Sequence, residues 1–439
     1  MSGPSLAAWS FAMLIGLMAI RMPIGLAMLA VGAAGYAWEL GFDPLLNYLK
    51  TTPYYLFGNY TLSVIPLFVL MGALAEQAGL TRNLFDCANA FLGRRRGGVA
   101  MATIAAAAGF GAICGSAVAT TASIGRVALP ELRRLGYQDG LATATLAVGG
   151  TLGILIPPSV ILVVYAISTE QNIAKLFMAA FVPGLLAALT YIVVIFLRVR
   201  ANPSLAPLAA PEAPGARRAT LPGVVPILAI ALVMLGGIYG GVFTPTEGAA
   251  VGTIATLLVG LLGGGLSRSG LATALLQTAE TTGMIFLILL GAEVFNAFLA
   301  LSEFPTLIAE QVASLGLPPY AVLVAILAAY IVLGGVMDEL AMLLLTLPVF
   351  FPVIMAQEFG LPSDETAIWF GILVLVITGI GLVAPPIGLN VFVIAGLARD
   401  VKLTAIYRGV LPFLASDLLR LGVLIAFPGL SLALVRWFT

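Results

Sequence analysis

GGTLGILIPPSV (residues 149–160) and GIGLVAPPIGLN (residues 379–390) place the same punctuation inside two long apolar runs. Proline removes a backbone donor and clashes with the preceding helical turn. The glycines just before each Pro-Pro pair permit local unwinding. A helix of about 20 apolar residues crosses a bilayer, and the runs that hold these motifs, 138–167 and 367–397, are long enough. Both are therefore expected to be spans that are discontinuous near mid-membrane, with carbonyls and half-helix ends left free. Free carbonyls suit sodium, and a half-helix N-terminus attracts a carboxylate.

The rest of the chain fits a membrane domain. Of 439 residues, 61% are hydrophobic and 9% charged, against about 25% charged in a soluble domain. The net charge is zero, which makes nucleic acid an unsuitable partner. Cys87 and Cys114 are the only cysteines and histidine is absent. That removes a disulfide framework, His-based metal sites and His proton relays. The N-terminus lacks the basic region of a cleavable signal. Further spans are expected near 5–20, 23–38, 54–78, 176–198, 221–240, 245–264, 271–300 and 410–427. Arg21 leaves open one interrupted helix over 5–38.

Two stretches, 97–132 and 317–357, are too broken for two full crossings each. They are expected to be re-entrant hairpins, which survive at membrane depth only when buried in protein or lining a cavity. Basic residues orient the chain. Arg94–Arg96 and Arg133-Arg134 bracket the first hairpin and place both its ends in the cytoplasm. The second is bracketed by Glu303, Glu310, Glu358, Asp364 and Glu365, so both its ends lie outside, as do both termini. Residues 200–220, rich in Pro and Ala, read as a cytoplasmic linker between two halves, 1–199 and 221–439.

The halves match in order. Pro23 pairs with Pro245, Gly111 with Gly334, Gly153 with Gly381, Pro157-Pro158 with Pro385-Pro386, and Pro183 with Pro412. The first half enters from outside and the second from inside. The fold expected is an all-α integral membrane protein with an inverted-topology repeat, two re-entrant hairpins and two discontinuous helices, an architecture of secondary transporters.

Around these breaks lie the candidate residues. The first hairpin centre, GAICGSAVATTASIG (111–125), offers hydroxyls, with Ser116 beside Gly115 at the tip. The second, GGVMDELAM (334–342), puts Asp338-Glu339 at membrane depth, where carboxylates are costly and functional by default. Glu280, Glu293 and Arg126 are further intramembrane charges, Asp417 and Arg420 are spaced to pair with each other, and Glu247 follows Pro245 at a helix start. No nucleophile–base pair, phosphate loop or metal cluster stands out.

GAICGSAVATTASIG, GGTLGILIPPSVILVVYA, FTPTEGAAVG and GIGLVAPPIGLNVFVIAG resemble, in order and over nearly the whole chain, the large membrane subunit of tripartite ATP-independent periplasmic (TRAP) transporters. The resemblance implies a sodium-driven, elevator-type importer of small organic acids in the bacterial inner membrane. It implies an unfused large subunit with two partners, a small membrane subunit and a soluble periplasmic binding protein. By motif position it implies one sodium site between Gly115, Ser116, Gly150 and Gly153, and a second between Gly335, Asp338, Thr378 and Gly381. The solute would sit between the tips near Thr120, Ser159 and Asn390, with Arg126 as a further candidate. Arg126 and the acidic Met337-Asp338-Glu339 depart from the family pattern. No cofactor is implied beyond sodium as coupling ion. The rival readings are a stand-alone ion-coupled carboxylate or anion transporter of similar architecture and, more remotely, an intramembrane enzyme using Asp338 with Glu280 or Glu293.

Overall fold

The computed structural model describes residues 3–207 and 216–438. Twenty α-helices follow one another: α1 (Gly3–Ala19), α2 (Ile24–Leu40), α3 (Phe42–Phe57), α4 (Val64–Gln77), α5 (Leu80–Leu92), α6 (Gly98–Cys114), α7 (Ala117–Arg134), α8 (Asp139–Leu155), α9 (Val160–Ser168), α10 (Ile173–Ala201), α11 (Ala216–Tyr239), α12 (Pro245–Leu262), α13 (Arg268–Leu301), α14 (Phe304–Ser314), α15 (Pro319–Gly334), α16 (Glu339–Met355), α17 (Ser363–Gly381), α18 (Leu389–Leu397), α19 (Leu403–Ala426) and α20 (Gly429–Phe438). Among the described residues there is no strand. Among the described residues, seven helical segments could cross a membrane by length and composition, or eight if α8 and α9, bent by 43° at their break, form one broken span. The chain is a multi-pass membrane protein.

Local chemistry sets the boundaries. Arg21 adopts φ 69° and separates α1 from α2, so the N-terminal run is two helices. Thr244 and Glu247 close a reciprocal capping box on either side of Pro245, which explains the acidic residue there. α13, with 34 residues, extends about 51 Å at about 1.5 Å per residue, well beyond the roughly 30 Å hydrocarbon core. α2 lies tightly along it. A Cβ on Gly32 would come within 2.6 Å of the Phe295 Cα, and one on Gly25 within 2.8 Å of the Leu287 oxygen. Small residues let membrane helices approach this closely, where van der Waals contact replaces the missing hydrophobic driving force.

The structure differs from the sequence expectations in four places. The run 54–78 is not one helix. α3 ends at Phe57, the Asn59 side chain caps a short 3-10 turn over Tyr60–Ser63, and α4 begins only at Val64. α3 is amphipathic and leaves Tyr54 and Tyr55 exposed. α5 is a further amphipathic helix before the arginine cluster. The chain also continues past the last expected span into α20, which packs on α10 and α17 and is tied by Arg436 to Glu365 at 2.6 Å. The expected linker is partly helical, since α10 runs to Ala201 and α11 starts at Ala216; its residues 208–215 lie outside the described residues.

The packing is reciprocal between the two parts of the chain. α2 lies on α13, and α12 on α4. α6 packs on α8, and α15 on α17. α9 packs on α16 and α17, while α18 packs on α7 and α8. Of the two short helices that follow a Pro-Pro break, α18 is packed mainly by the opposite half, whereas α9 is shared between α16 and α17 on one side and α4 and α10 of its own half on the other.

Candidate functional site

Two helix pairs approach the two breaks in the same way. α6 and α7 are joined by Gly115 and Ser116 alone. Gly115 takes φ 67°, the left-handed region that glycine tolerates, and Ser116 caps α7 by accepting from the Ala119 N–H at 3.4 Å. The carbonyl of Gly115 accepts from the Val160 N–H at 3.4 Å, just past Pro157-Pro158. In the second pair, α15 and α16, the carbonyl of Gly335 accepts from the Ile387 N–H at 3.1 Å, just past Pro385-Pro386. Asp338 caps α16 through the Leu340 N–H at 3.1 Å.

The glycines matched in the sequence are the points of closest approach. A Cβ on Gly111 would lie 3.0 Å from the Gly153 Cα, and one on Gly334 would lie 3.3 Å from the Gly381 Cα. Gly153 also faces Ser116 and Thr120, and Gly150 faces Thr121 and the Ala117 carbonyl. The Thr120 hydroxyl oxygen is buried without a hydrogen-bond partner. Thr378, buried in α17, donates to the Val374 carbonyl at 2.7 Å. The structure therefore gathers the four residues of the first candidate cation site around one tip. In the second it brings Gly381 against the Gly334–Gly335 turn, with Asp338 three residues on.

Between the two tips lies a cavity of about 590 Å³, inside the range of small-molecule sites. Gly115, Ser116, Arg126, Asp338 and Glu339 line it together with residues of α4 and α13. Ser116, Ala119, Ala122 and Arg126 all reach it because spacings of three and four keep them on one face of α7. Of the four expected solute residues only Arg126 is in this lining. Thr120, Ser159 and Asn390 are fully buried outside it. Ser159 caps α9, accepting from the Leu162 N–H at 3.5 Å. Asn390 donates to the Ala147 carbonyl at 3.1 Å, bridging α18 to α8, and its Oδ1 has no partner.

One residue of the cavity gave no warning in the sequence. Glu76, near the end of α4, accepts a hydrogen bond from Arg126 Nη2 and forms an ion pair with it. Its position at the polar end of an apolar run reads as an ordinary helix terminus. The cavity wall thus holds one guanidinium and three carboxylates, Glu76, Asp338 and Glu339. Glu339 Oε2 is buried without a partner. Glu280 and Glu293 are exposed on α13 and are not among the lining residues of this cavity. Asp417 and Arg420 do pair, at 2.9 Å, in the core between α10 and α19.

Comparison with known proteins identifies the family of the chain. The family model described as "Tripartite ATP-independent periplasmic transporter, DctM component" matches residues 11–430. The C4-dicarboxylate TRAP transporter large permease protein DctM of Pseudomonas aeruginosa is 38% identical over 382 residues, covering 86% of this chain and 87% of that protein. The sialic acid TRAP transporter large permease protein SiaM of Vibrio cholerae is 29% identical over 428 residues, 97% of each chain. Among solved structures the YdaH transporter of Alcanivorax borkumensis superposes with a TM-score of 0.65 at 17% identity, covering 99% of this chain and 100% of that one, a likeness of fold. The chain belongs to the DctM family, the large permease components of tripartite ATP-independent periplasmic transporters, and is a transporter subunit rather than an enzyme.

Proposed function

We propose that this permease imports a small organic acid across the bacterial inner membrane, coupled to sodium and fed by a periplasmic binding protein. The observation that carries the reading is the pair of matching tip-to-break contacts, Gly115 to Val160 and Gly335 to Ile387, on either side of one charged cavity. The tips and breaks offer carbonyl and hydroxyl oxygens, the donors a hard monovalent cation prefers. Charge supports coupling as well. With its side chains ionised, the wall is already negative, so an incoming carboxylate meets net repulsion unless cations enter with it. Cation sites at Gly115, Ser116, Gly150 and Gly153, and at Gly335, Asp338, Thr378 and Gly381, flank the cavity and would supply that charge. Arg126 holds a solute carboxylate; Thr120, Ser159 and Asn390 shape the wall from behind.

The halves 1–199 and 221–439 form an inverted repeat in this reading, supported by the reciprocal packing. α6–α9 and α15–α18 carry both tips and both breaks and move together as an elevator. α2, α4, α12 and α13 form the frame, whose apolar flank docks the small membrane subunit. C4-dicarboxylates are the first solutes to test, given the 38% identical relative.

Proteoliposomes holding this chain, the small subunit and the binding protein are expected to accumulate solute only with an inward sodium gradient. Full uptake on a pH gradient in sodium-free buffer would overturn sodium coupling. Equal uptake by the chain alone, at low solute concentration, would replace the three-component reading with a stand-alone carboxylate transporter.

The topology has its own test. Single cysteines at positions 96 and 134 are expected to react from the cytoplasm, and at 310 and 364 from the periplasm. Reaction of 96 and 134 from opposite sides would make α6 and α7 a crossing and end the inverted-repeat reading.

A further inference from the structure

We infer that Glu76 is an internal stand-in for the solute's carboxylate, occupying Arg126 until the solute displaces it; the inference rests on the organic-acid reading above. Three observations carry it. First, the pair sits on the cavity wall rather than in the core, and both residues line the space between the tips. Second, the contact uses little of the guanidinium. Arg126 meets Glu76 through Nη2 alone, and 55% of its side chain remains exposed. A guanidinium offers five donors in a planar fork and holds a carboxylate best through two parallel bonds. An incoming carboxylate can therefore make the two-pronged contact that Glu76 does not make. Third, Glu76 is itself 17% exposed and pairs with Arg126 alone among the described residues, so its release strands no further partner.

The two residues come from different parts of the architecture. Glu76 belongs to α4, which packs most on α12 and α13 and less on α6 and α9, whereas Arg126 belongs to α7, which packs most on α8, α6 and α18. The ion pair ties one group to the other while no solute is present. Displacement by a solute carboxylate removes that tie at the moment of loading. The freed Glu76 carboxylate shares the wall with Asp338 and Glu339, so with these side chains ionised the demand for cations rises when the solute arrives.

The test is equilibrium binding of a radiolabelled carboxylate to the purified membrane complex in sodium buffer. The probe is chosen from succinate, fumarate, malate, pyruvate and gluconate as one that the wild-type three-component system takes up. Glu76→Gln removes the competitor and is expected to tighten binding roughly two- to fivefold, equivalent to about 0.4–1 kcal/mol. Arg126→Gln is expected to weaken it roughly tenfold or more, and Glu76→Gln/Arg126→Gln together remain weak. Arg126→Lys keeps the charge and recovers part of the loss, separating recognition from misfolding. If instead the double variant binds like wild type, or Glu76→Gln binds no better than wild type, the pair is structural and the inference fails. A wild-type system that takes up none of the five carboxylates overturns the organic-acid reading, and the inference falls with it. Uptake by wild type with no gain in Glu76→Gln overturns the inference alone.

Discussion

Arg420→Met is expected to destabilise the protein by about 3–5 kcal/mol, the usual cost of leaving one partner of a buried ion pair unpaired. Asp417 and Arg420 are 1% and 4% exposed, one turn apart on α19. Their carboxylate and guanidinium meet at 2.9 Å. The Tyr191 hydroxyl of α10 donates to Asp417 Oδ2 at 2.9 Å, and the Arg420 guanidinium lies 5.6 Å from the centre of the Tyr191 ring. The same hydroxyl lies 3.1 Å from Thr151 Oγ1, in α8 between Gly150 and Gly153. The network therefore links α19 and α10 to the helix that carries the first break. Removing both charges with Asp417→Leu/Arg420→Met is expected to restore most of the stability, because an apolar replacement of a buried pair is often neutral or better. Thermal unfolding of the detergent-purified single and double variants measures both. A single variant as stable as wild type would mean that the pair is not isolated from water.

Gly153→Val and Gly381→Val are expected to abolish sodium-driven uptake while leaving a folded, membrane-inserted protein. At Gly153 the new Cβ would stand 2.5 Å from the Ser116 carbonyl oxygen. At Gly381 it would stand 2.8–3.0 Å from the backbone of Gly334. Backbone cannot step aside as a flexible side-chain end can, so the tip must part from the break. Overpacking of this kind costs about 1–3 kcal/mol, tolerable for a large protein but concentrated on the two candidate cation sites. Gly422→Val on α19 is the control, since a Cβ there meets nothing within 4 Å. Expression and uptake of the three variants, compared at equal protein in proteoliposomes, check the expectation. Normal uptake by either variant would remove that glycine contact from the transport cycle.

The parts of this structure legible in the sequence are those governed by local rules. Gly and Pro dictate the breaks at 156–159 and 382–388 whatever surrounds them, and Gly115-Ser116 announces a left-handed turn followed by a helix cap. Long apolar runs such as Ile173–Ala201 and Arg268–Leu301 are bounded well by hydropathy alone. The misread stretch, 54–78, fails because hydropathy averages over an amphipathic end and a capped turn. Tyr54 and Tyr55 lie on the exposed side of α3, a helix that ends seven residues before α4 begins. The candidate site divides on the same principle. Ser116 stands out in the sequence at a hairpin tip and Asp338 as a carboxylate at membrane depth, and each caps the helix that follows it. Which way Thr120, Ser159 and Asn390 face depends on neighbours hundreds of residues distant; Asn390 reaches the Ala147 carbonyl. Glu76 has no local signature, because what distinguishes it is an arginine fifty positions on.

The exchange of short helices between the halves also bears on how the protein is made. α9 ends at Ser168, but α16 and α17, which share its burial with α4 and α10, are complete only at Gly381. At roughly 5–20 residues per second, synthesis leaves Val160–Ser168 without these neighbours for about 10–40 s. Over that interval Tyr165, whose hydroxyl in the finished protein donates to the Ala367 carbonyl at 2.6 Å, has no such acceptor. The first half can form its own contacts early, but α9 reaches its final packing only late in translation.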